Sequence, residues 1–301
     1  MIGEGLAYSA LPFLSRLEAI MNSGFINVNK PAGLSSAAVV SKVKRVCGLS
    51  CGHMGTLDPL ACGVLPVAVG NASRLFSYLL NKKKVYRAVF VFGKTTDTLD
   101  AEGTLTQEGG RVPTASQIQS VLPSFIGEVE QMPPAFSAKS VGGVRAYKLA
   151  RQGKEVILTP KKVFIENIAL CGENGNSFEF EISCGGGTYI RSLARDISAA
   201  CGTYAYMSSL VRERSGDFLL ENAVSPIELT RENWREFLIP TDGVIAFPSL
   251  RFDGVRAVRL KNGLTQPCNE ANGEYKLYLE GDFYGIAEVE NGLVRAKVKL
   301  V

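Results

Sequence analysis

The amino-acid sequence predicts an α+β fold with a largely antiparallel, mixed central sheet flanked by helices. Two hydrophobic segments, at 161–171 and 177–184, are joined by an Asn-Gly-Asn turn, which is typical of an antiparallel hairpin. A glycine triplet at 185–187 then precedes a segment with apolar residues at helical spacing. Strands and helices otherwise follow one another without regular alternation, and this indicates an α+β arrangement.

The segments up to residue 92 carry clear signals for individual elements. Hydrophobic patterning and capping residues predict, in order, a strand at 24–29, a helix at about 37–47 capped by Ser35 or Ser36, a strand at 64–69, a helix from an Asn71 cap to Leu80, and a strand at 85–92. In the last of these strands, Tyr86 and every second residue after it lie on one face.

The middle of the chain is divided by turn-forming and basic segments. A helix at 114–124 and a strand at 126–131 are followed by a double proline that breaks the pattern. Residues 137–155 are basic and carry glycines, so we expect a surface insertion with a short helix at 145–152.

The two ends of the chain differ in composition from the middle. Patterned sequence begins near Met21, and residues 1–23 fit neither a secretory nor an organellar targeting peptide, so we expect a dispensable extension. After residue 240, short strands and Gly/Asn turns predict a small all-β domain at about 245–301.

Composition limits the class of protein. The chain has 301 residues, of which 46% are hydrophobic and 21% charged, which indicates a globular protein with a substantial core. Its seven cysteines are an odd number without a secretory signal, so we expect reduced thiols in a cytoplasmic protein. No apolar run approaches the roughly 20 residues of a membrane helix, so no membrane partner is expected.

Charge is unevenly distributed. Between residues 19 and 96 the chain has ten Lys and Arg but only one acidic residue, Asp58. After residue 240, eight basic and eight acidic side chains balance, so the whole net charge of +4 lies in the first 240 residues. A long region with almost no negative charge favours a polyanion as partner. Its one acidic residue is then a candidate catalytic residue acting on that polyanion.

Asp58 lies in the segment GHMGTLDPLACG (52–63), where Pro59 biases it toward an extended backbone and glycines allow close approach of a ligand. It is a candidate nucleophile or base, and a loop aspartate that only makes turn hydrogen bonds is the alternative. Arg191 is the best candidate for the cation that keeps Asp58 ionised, unless it forms a surface salt bridge with Asp196 or Glu181.

Two further segments carry competing interpretations. In NKKKVYRAVFVF (81–92), basic groups bracket Tyr86, which fits unstacked RNA but also an ordinary solubilising turn. His53, the only histidine, either contacts RNA or joins three cysteines (47, 51 and 62) in a metal set, but their irregular spacing disfavours zinc. The glycine triplet lacks the Lys-Ser/Thr of a nucleotide-binding loop, which argues against ATP.

These residues closely resemble those of the tRNA pseudouridine-55 synthases, the TruB-type family. The matching motifs occur in family order over about 24–216: NKPAGLSS (29–36), GHMGTLDPLACG (52–63), KKKVYR (82–87), GKTTDTLDAEG (93–103), PPAFSAKSVGGVRAYKLARQGKEV (133–156), GGTYIRSLARD (186–196) and SLVRERSG (209–216). The resemblance implies a pseudouridine synthase fold in a catalytic domain at 24–240, with a thumb insertion at about 133–156 and a small PUA-like RNA-binding domain at 245–301.

The resemblance also implies the activity: the T-loop uridine of tRNA is flipped from its stack and isomerised to pseudouridine without cofactor or metal. Its catalytic residues fall on Asp58 as nucleophile, Tyr86, which packs on the base and helps to remove the C5 proton, and Arg191. The implied RNA contacts are His53, Tyr86, Tyr189, Leu210, Lys30, Lys139 and Arg151. We expect a monomer. A non-catalytic RNA-binding protein that helps tRNA to fold, and a guide-RNA-dependent synthase acting on other RNA, are the alternatives.

Overall fold

The protein is described from a computed structural model, which covers residues 23–80, 82–137, 140–141, 143–145, 149, 152 and 158–300. Its strands are β1 (Gly24–Lys30), β2 (Cys51–His53), β3 (Cys62–Val69), β4 (Lys84–Phe92), β5 (Thr95–Thr96), β6 (Leu105–Gln107), β7 (Gly127–Gln131), β8 (Ser140–Val141), β9 (Val144–Arg145), β10 (Lys161–Asn174), β11 (Ser177–Cys184), β12 (Ala205–Ser215), β13 (Phe218–Leu219), β14 (Leu238–Pro240), β15 (Ser249–Phe252), β16 (Gln266–Pro267), β17 (Gly273–Leu279), β18 (Asp282–Glu290) and β19 (Leu293–Lys299). Its α-helices are α1 (Ser36–Cys47), α2 (Phe76–Leu80), α3 (Ala115–Val121), α4 (Ile190–Ala200) and α5 (Gly254–Lys261).

The main sheet has the strand order β14-β1-β3-β12-β4-β11-β10-β7, with β2 beside β3 and β13 beside β12. Its pairs are antiparallel except for β3 and β12, which run parallel. The predicted α+β fold with a largely antiparallel, mixed sheet is therefore confirmed. The parallel pair brings the loop before β3 next to β12, which is the arrangement that assembles the site described below.

Helices α1 and α4 cover one face of this sheet. Ser35 caps α1 by accepting a hydrogen bond from the backbone N–H of Ala38, as one of the two predicted caps. Val39 and Val43 of α1 and Leu193 and Ile197 of α4 are buried, because each helix places its apolar residues at helical spacing. The alternating burial of β4 likewise follows its sequence, with Tyr86 and every second residue after it facing the core.

A second, five-stranded sheet in the order β15-β17-β18-β19-β16 forms the C-terminal part. It packs on the main sheet through a shared apolar cluster, in which Phe283, Ile286 and Leu300 contact the group that contains Phe25 and Met54. No helix in the described part of the chain is long and apolar enough to cross a membrane.

Several sequence expectations differ from the structure. The C-terminal region is not all-β, because the eight-residue α5 follows β15, with Ala257 and Leu260 buried. The predicted helix from Asn71 to Leu80 is divided into a 3₁₀ helix, Gly70–Leu75, and α2, and Asn71 lies inside the first of these instead of capping it. Residues 1–22 and much of the expected helix at 145–152 lie outside the described residues.

Candidate active site

A cavity of about 550 Å³ opens between the loop before β3, strands β4 and β12, and the start of α4. Its size suits a small ligand or a single nucleotide. The lining includes five of the residues expected from the sequence: Asp58, Tyr86, Tyr189, Arg191 and Leu210. Elements that are far apart in sequence therefore bring the predicted catalytic and base-contacting side chains to one place.

Asp58 and Arg191 form an ion pair at this cavity. Nε of Arg191 lies 2.9 Å from Oδ2 of Asp58, and Nη2 donates a hydrogen bond to Oδ1 at 3.1 Å. The Arg191 side chain is only 6% exposed, while that of Asp58 is 32% exposed. Arg191 therefore neutralises Asp58 from the protein side and leaves the carboxylate accessible to a ligand. The alternative pairing of Arg191 with Asp196 or Glu181 does not occur, since Asp196 pairs with Arg195 and Glu181 with Arg87.

Asp100 is a third member of this network, and the sequence analysis did not single it out. Its Oδ2 lies 3.4 Å from Nη1 of Arg191, and its side chain is 5% exposed. Nη1 of Arg191 also donates to the carbonyl oxygen of Thr98 at 2.9 Å. Leu99 lies between Thr98 and Asp100 in the chain and has a positive φ of 62°. This strained backbone, which costs of order 1–3 kcal/mol, turns both the carbonyl and the carboxylate toward one guanidinium.

The loop that carries Asp58 is held by polar contacts on several sides. The hydroxyl of Ser36 donates to the carbonyl oxygen of Leu57 and accepts from its N–H, both at 2.8 Å. Lys30 donates from Nζ to the carbonyl oxygens of Pro31, Leu34 and Pro59 at 3.0, 2.5 and 3.1 Å. These contacts fix the loop backbone on both sides of the aspartate.

Lys30 is therefore not in the RNA-contacting position expected from the sequence. Its side chain is fully buried, with an exposure of 0%, and burial lowers its pKa. An ammonium group surrounded by backbone carbonyls and closed off from solvent does not fit direct contact with RNA. It stabilises the loop that carries Asp58 instead.

Arg212 supports the same loop from strand β12. Its exposure is 0%, and its guanidinium donates to the carbonyl oxygens of Val64 at 2.6 Å and Gly55 at 3.1 Å. At Gly63, where φ is 98°, a Cβ atom would lie 2.3 Å from the carbonyl oxygen of Arg212, so only glycine allows the strands to approach this closely. Arg212 and Leu210 lie two residues apart on the strand, and this alternation was the available sequence signal for an inward-facing arginine.

We expect the substitution Arg212→Met to lower the free energy of unfolding by about 3 kcal/mol or more, because two buried carbonyl groups lose their donor. The measurement is the denaturant midpoint. Arg214→Met is the matched control, since Arg214 is exposed on the same strand and donates to the carbonyl oxygen of Gly216. Equal losses for the two variants contradict the structural role given to Arg212.

Tyr86 and Leu210 form an apolar wall of the cavity. Tyr86 on β4 is 6% exposed and Leu210 on β12 is 5% exposed. Burial raises the pKa of the Tyr86 phenol, so the phenol is protonated at neutral pH. Tyr189, at the cavity lip, is positioned by Gln131, which accepts from its backbone N–H at 2.8 Å and donates to its carbonyl oxygen at 3.1 Å.

A further predicted RNA contact, His53, lies elsewhere. His53 is in β2 opposite Val67 of β3, outside the cavity lining, and its Nδ1 is buried without a hydrogen-bond partner among the described residues. Burial and the charge of Arg212 lower the pKa of His53. Lys139 and Arg151 lie outside the described residues.

The basic segment before β4 is engaged with the protein itself. Lys83 lies 2.6 Å from Glu166, Lys82 is paired with Asp217, and Arg87 is paired with three glutamates: Glu179, Glu181 and Glu213. Lys84 is 4% exposed and donates to backbone carbonyls, and burial lowers its pKa to about 8. The expectation that these cations follow an RNA backbone is not supported by their contacts, because each one already has acceptors within the protein.

The cysteines and histidine considered as a metal set are not assembled into one. Within the part of the chain that the structure describes, no group of three or more His, Cys, Asp or Glu side chains is arranged to hold a metal ion. Cys47 and Cys51 do form a close pair, with their Sγ atoms 3.4 Å apart. The hydrogen bond from Cys51 stabilises the thiolate of Cys47 and lowers its pKa to about 6, and the same contact raises the pKa of Cys51.

This pair gives a testable pH dependence. We expect iodoacetamide to alkylate Cys47 faster than the other cysteines near neutral pH, because the thiolate form of Cys47 is already dominant above about pH 6. Alkylation at each residue is followed by mass spectrometry across a pH series. Cys51→Ala removes the hydrogen bond and should move the midpoint of Cys47 toward the ordinary thiol range. An unchanged midpoint in that variant contradicts the assignment.

Comparison with solved structures identifies the class of fold. A chain in a crystal structure of a Cbf5-Nop10-Gar1 complex aligns over 95% of this chain and 87% of its own length, with a TM-score of 0.71 and 24% sequence identity. A chain in an archaeal box H/ACA sRNP Nop10-Cbf5 complex aligns with a TM-score of 0.69 and 23% identity. This chain therefore shares the fold of these two chains over almost its whole length.

Comparison of sequences identifies the family. The family model described as TruB family pseudouridylate synthase, N-terminal domain, matches residues 42–190. A tRNA pseudouridine synthase B from Acaryochloris marina is 39% identical over 285 residues, which cover 92% of this chain and 98% of that protein. A protein of the same name from Caldanaerobacter subterraneus is 39% identical over 281 residues, 91% of this chain and 98% of that protein. This chain belongs to the TruB family of pseudouridylate synthases, and it is an isomerase of that class.

Proposed function

We propose that this protein isomerises the uridine at position 55 in the T loop of tRNA to pseudouridine, with Asp58 as the nucleophile and without a cofactor. The observation that carries the proposal is the Asp58–Arg191 ion pair, in which a partly exposed carboxylate faces a cavity of about 550 Å³. The relatives support tRNA as the substrate, because they are named tRNA pseudouridine synthase B and match this chain over nearly their whole length.

The size and depth of the cavity support base flipping. A uracil within a stacked loop cannot enter this cavity, so the proposed reaction requires the nucleotide to leave the stack. Tyr86 and Leu210 offer apolar surfaces on which the flipped base can pack, and Tyr189 stands at the entrance. The cost of unstacking, a few kcal/mol, is offset by these contacts.

The reaction itself is balanced within the nucleotide. The N1–C1′ bond breaks, the uracil rotates, C5 bonds to C1′, and the proton lost from C5 is matched by a proton gained at N1. Arg191 pairs with the Asp58 carboxylate and orients it toward the cavity, where it forms a transient covalent bond with the nucleotide. Tyr86 packs against the uracil ring as a neutral phenol. To help remove the C5 proton as a base, the phenol must first lose its hydroxyl proton.

The test is an assay of the purified protein alone with an unmodified tRNA transcript. Pseudouridine is mapped by chemical labelling and primer extension, and a transcript with cytidine at the target position is the control. Product at the T-loop uridine supports the proposal. Product only after a guide RNA is added supports a guide-dependent synthase, and binding without product on any RNA supports a non-catalytic RNA-binding protein.

A further inference from the structure

We propose that the side chain of Lys161 binds an RNA phosphate at the entrance of the active-site cavity, next to the flipped nucleotide. This inference rests on the proposed function, because it takes RNA as the ligand of the cavity. It assigns a contact to a residue outside the motifs that the sequence analysis selected.

The other basic residues of the cavity are already engaged. Four basic side chains line it: Lys84, Lys161, Arg191 and Arg212. Arg191 is paired with Asp58 and Asp100, while Arg212 and Lys84 donate to backbone carbonyl oxygens. For Lys161, which is exposed, no hydrogen bond or ion pair to any residue in the described ranges is found.

The position of Lys161 also suits a phosphate contact. It is the first residue of β10 and lies opposite Gln131 of β7, the side chain that fixes Tyr189 at the cavity lip. Its ammonium group also lies over the glycine triplet, since a Cβ atom at Gly187 would be only 2.4 Å from Nζ of Lys161. The absence of a side chain at Gly187, where φ is 84°, therefore leaves room for the ammonium group at the entrance.

The chemistry of an RNA substrate supports the same contact. When a nucleotide is flipped, its base enters the pocket and its flanking phosphates stay at the mouth. An exposed ammonium group without a partner among the described residues is suited to a phosphate as a point charge. The lysines at 82–84 are engaged within the protein, so they do not supply this charge. Lys161 is the basic group of the cavity that remains for the backbone of the RNA.

The experiment measures the salt dependence of RNA binding. A T-arm stem-loop is titrated with protein in the Asp58→Asn background, which prevents turnover, at several salt concentrations. We expect Lys161→Ala to weaken binding about 3- to 10-fold at low salt and to reduce the slope of log K against log salt by about 0.7. Lys161→Arg should retain most of the binding, because it keeps the charge.

Lys162→Ala is the matched control. Lys162 is the next residue of the same strand, is also exposed, and pairs with Glu128 at 2.7 Å, outside the cavity lining. Its substitution should change neither affinity nor slope. An unchanged salt slope for Lys161→Ala overturns the inference. An equal loss of RNA affinity for Lys162→Ala also overturns it, because the effect would then reflect only the total charge of the protein. Failure of wild-type protein to bind the stem-loop overturns it too.

Different experimental results would overturn the phosphate contact of Lys161 and the proposed function. If the Lys161→Ala slope falls but wild-type protein forms no pseudouridine, the phosphate contact stands and the activity fails. If product forms at the T-loop uridine but the slope is unchanged, the activity stands and the contact fails. In the active protein, Lys161→Ala should raise KM and leave kcat nearly unchanged, since the lost contact serves binding.

Discussion

Replacing Asp58 with Asn is expected to lower pseudouridine formation by on the order of 10⁴-fold or more, while the fold and RNA binding are retained. Asparagine has nearly the same shape and can still accept a hydrogen bond from Arg191. However, its amide is uncharged and is not a nucleophile, so it cannot form the transient bond. Single-turnover assays measure the rate, and titration with the T-arm stem-loop measures binding.

The chain offers a close control for this variant. Asp196 has a side-chain exposure of 30%, compared with 32% for Asp58, and it also pairs with an arginine, Arg195, at 2.8 Å. It does not line the cavity. Asp196→Asn should leave the rate within about twofold of wild type, because only a surface ion pair is weakened. A rate for Asp58→Asn that stays near that of Asp196→Asn excludes Asp58 as the nucleophile.

The second large effect is expected at Arg191. Arg191→Met should reduce the rate by about 10²- to 10³-fold and lower the free energy of unfolding by about 3–5 kcal/mol. The variant leaves Asp100, with a side chain only 5% exposed, without its cation, and it also removes the donor to the carbonyl oxygen of Thr98. Rate and denaturant midpoint are measured on the same preparation.

Two comparisons separate charge from packing at this position. Arg191→Lys keeps the positive charge but cannot reach Asp58, Asp100 and the Thr98 carbonyl together, so both losses should be intermediate. Arg195→Met, on the same helix, removes an arginine that is 33% exposed and should cost less than about 1 kcal/mol. A stable but inactive Arg191→Met protein would show that its role is confined to Asp58.

The ion pair between Asp58 and Arg191 could be predicted because local signals marked both partners. Asp58 stands alone among cations next to a proline, and Arg191 follows a glycine triplet at a helix start. Alternation in β4 likewise predicted the inward face that carries Tyr86, and the helical repeat predicted the buried face of α4. In these cases the pattern that identifies a residue also fixes its orientation.

Residues whose role depends on distant partners could not be predicted in this way. Lys30 and Lys83 look available for RNA in the sequence, but Lys30 is enclosed by carbonyl groups and Lys83 meets Glu166, 83 residues further on. Asp100 lies 91 residues before the arginine that it contacts. A basic or acidic residue carries no local mark of such a partner, and long-range packing decides whether it faces solvent.

Short helical segments were the other features that the sequence did not predict correctly. Helix α5 has eight residues, and only Ala257 and Leu260 are buried, so its periodicity was too weak to distinguish it from the surrounding strands. The 3₁₀ segment before α2 carries the same kind of ambiguity, because a helical pattern does not specify the hydrogen-bonding register.

The apolar cluster shared by the two sheets links the C-terminal strands to the segment that carries Asp58. Met54, which is 2% exposed, belongs to this cluster together with Ile286 and Leu300, and it lies four residues before Asp58. We therefore expect fluctuations that detach the C-terminal strands to remove packing that supports the segment carrying Asp58. The C-terminal strands and this segment should then unfold as one cooperative unit.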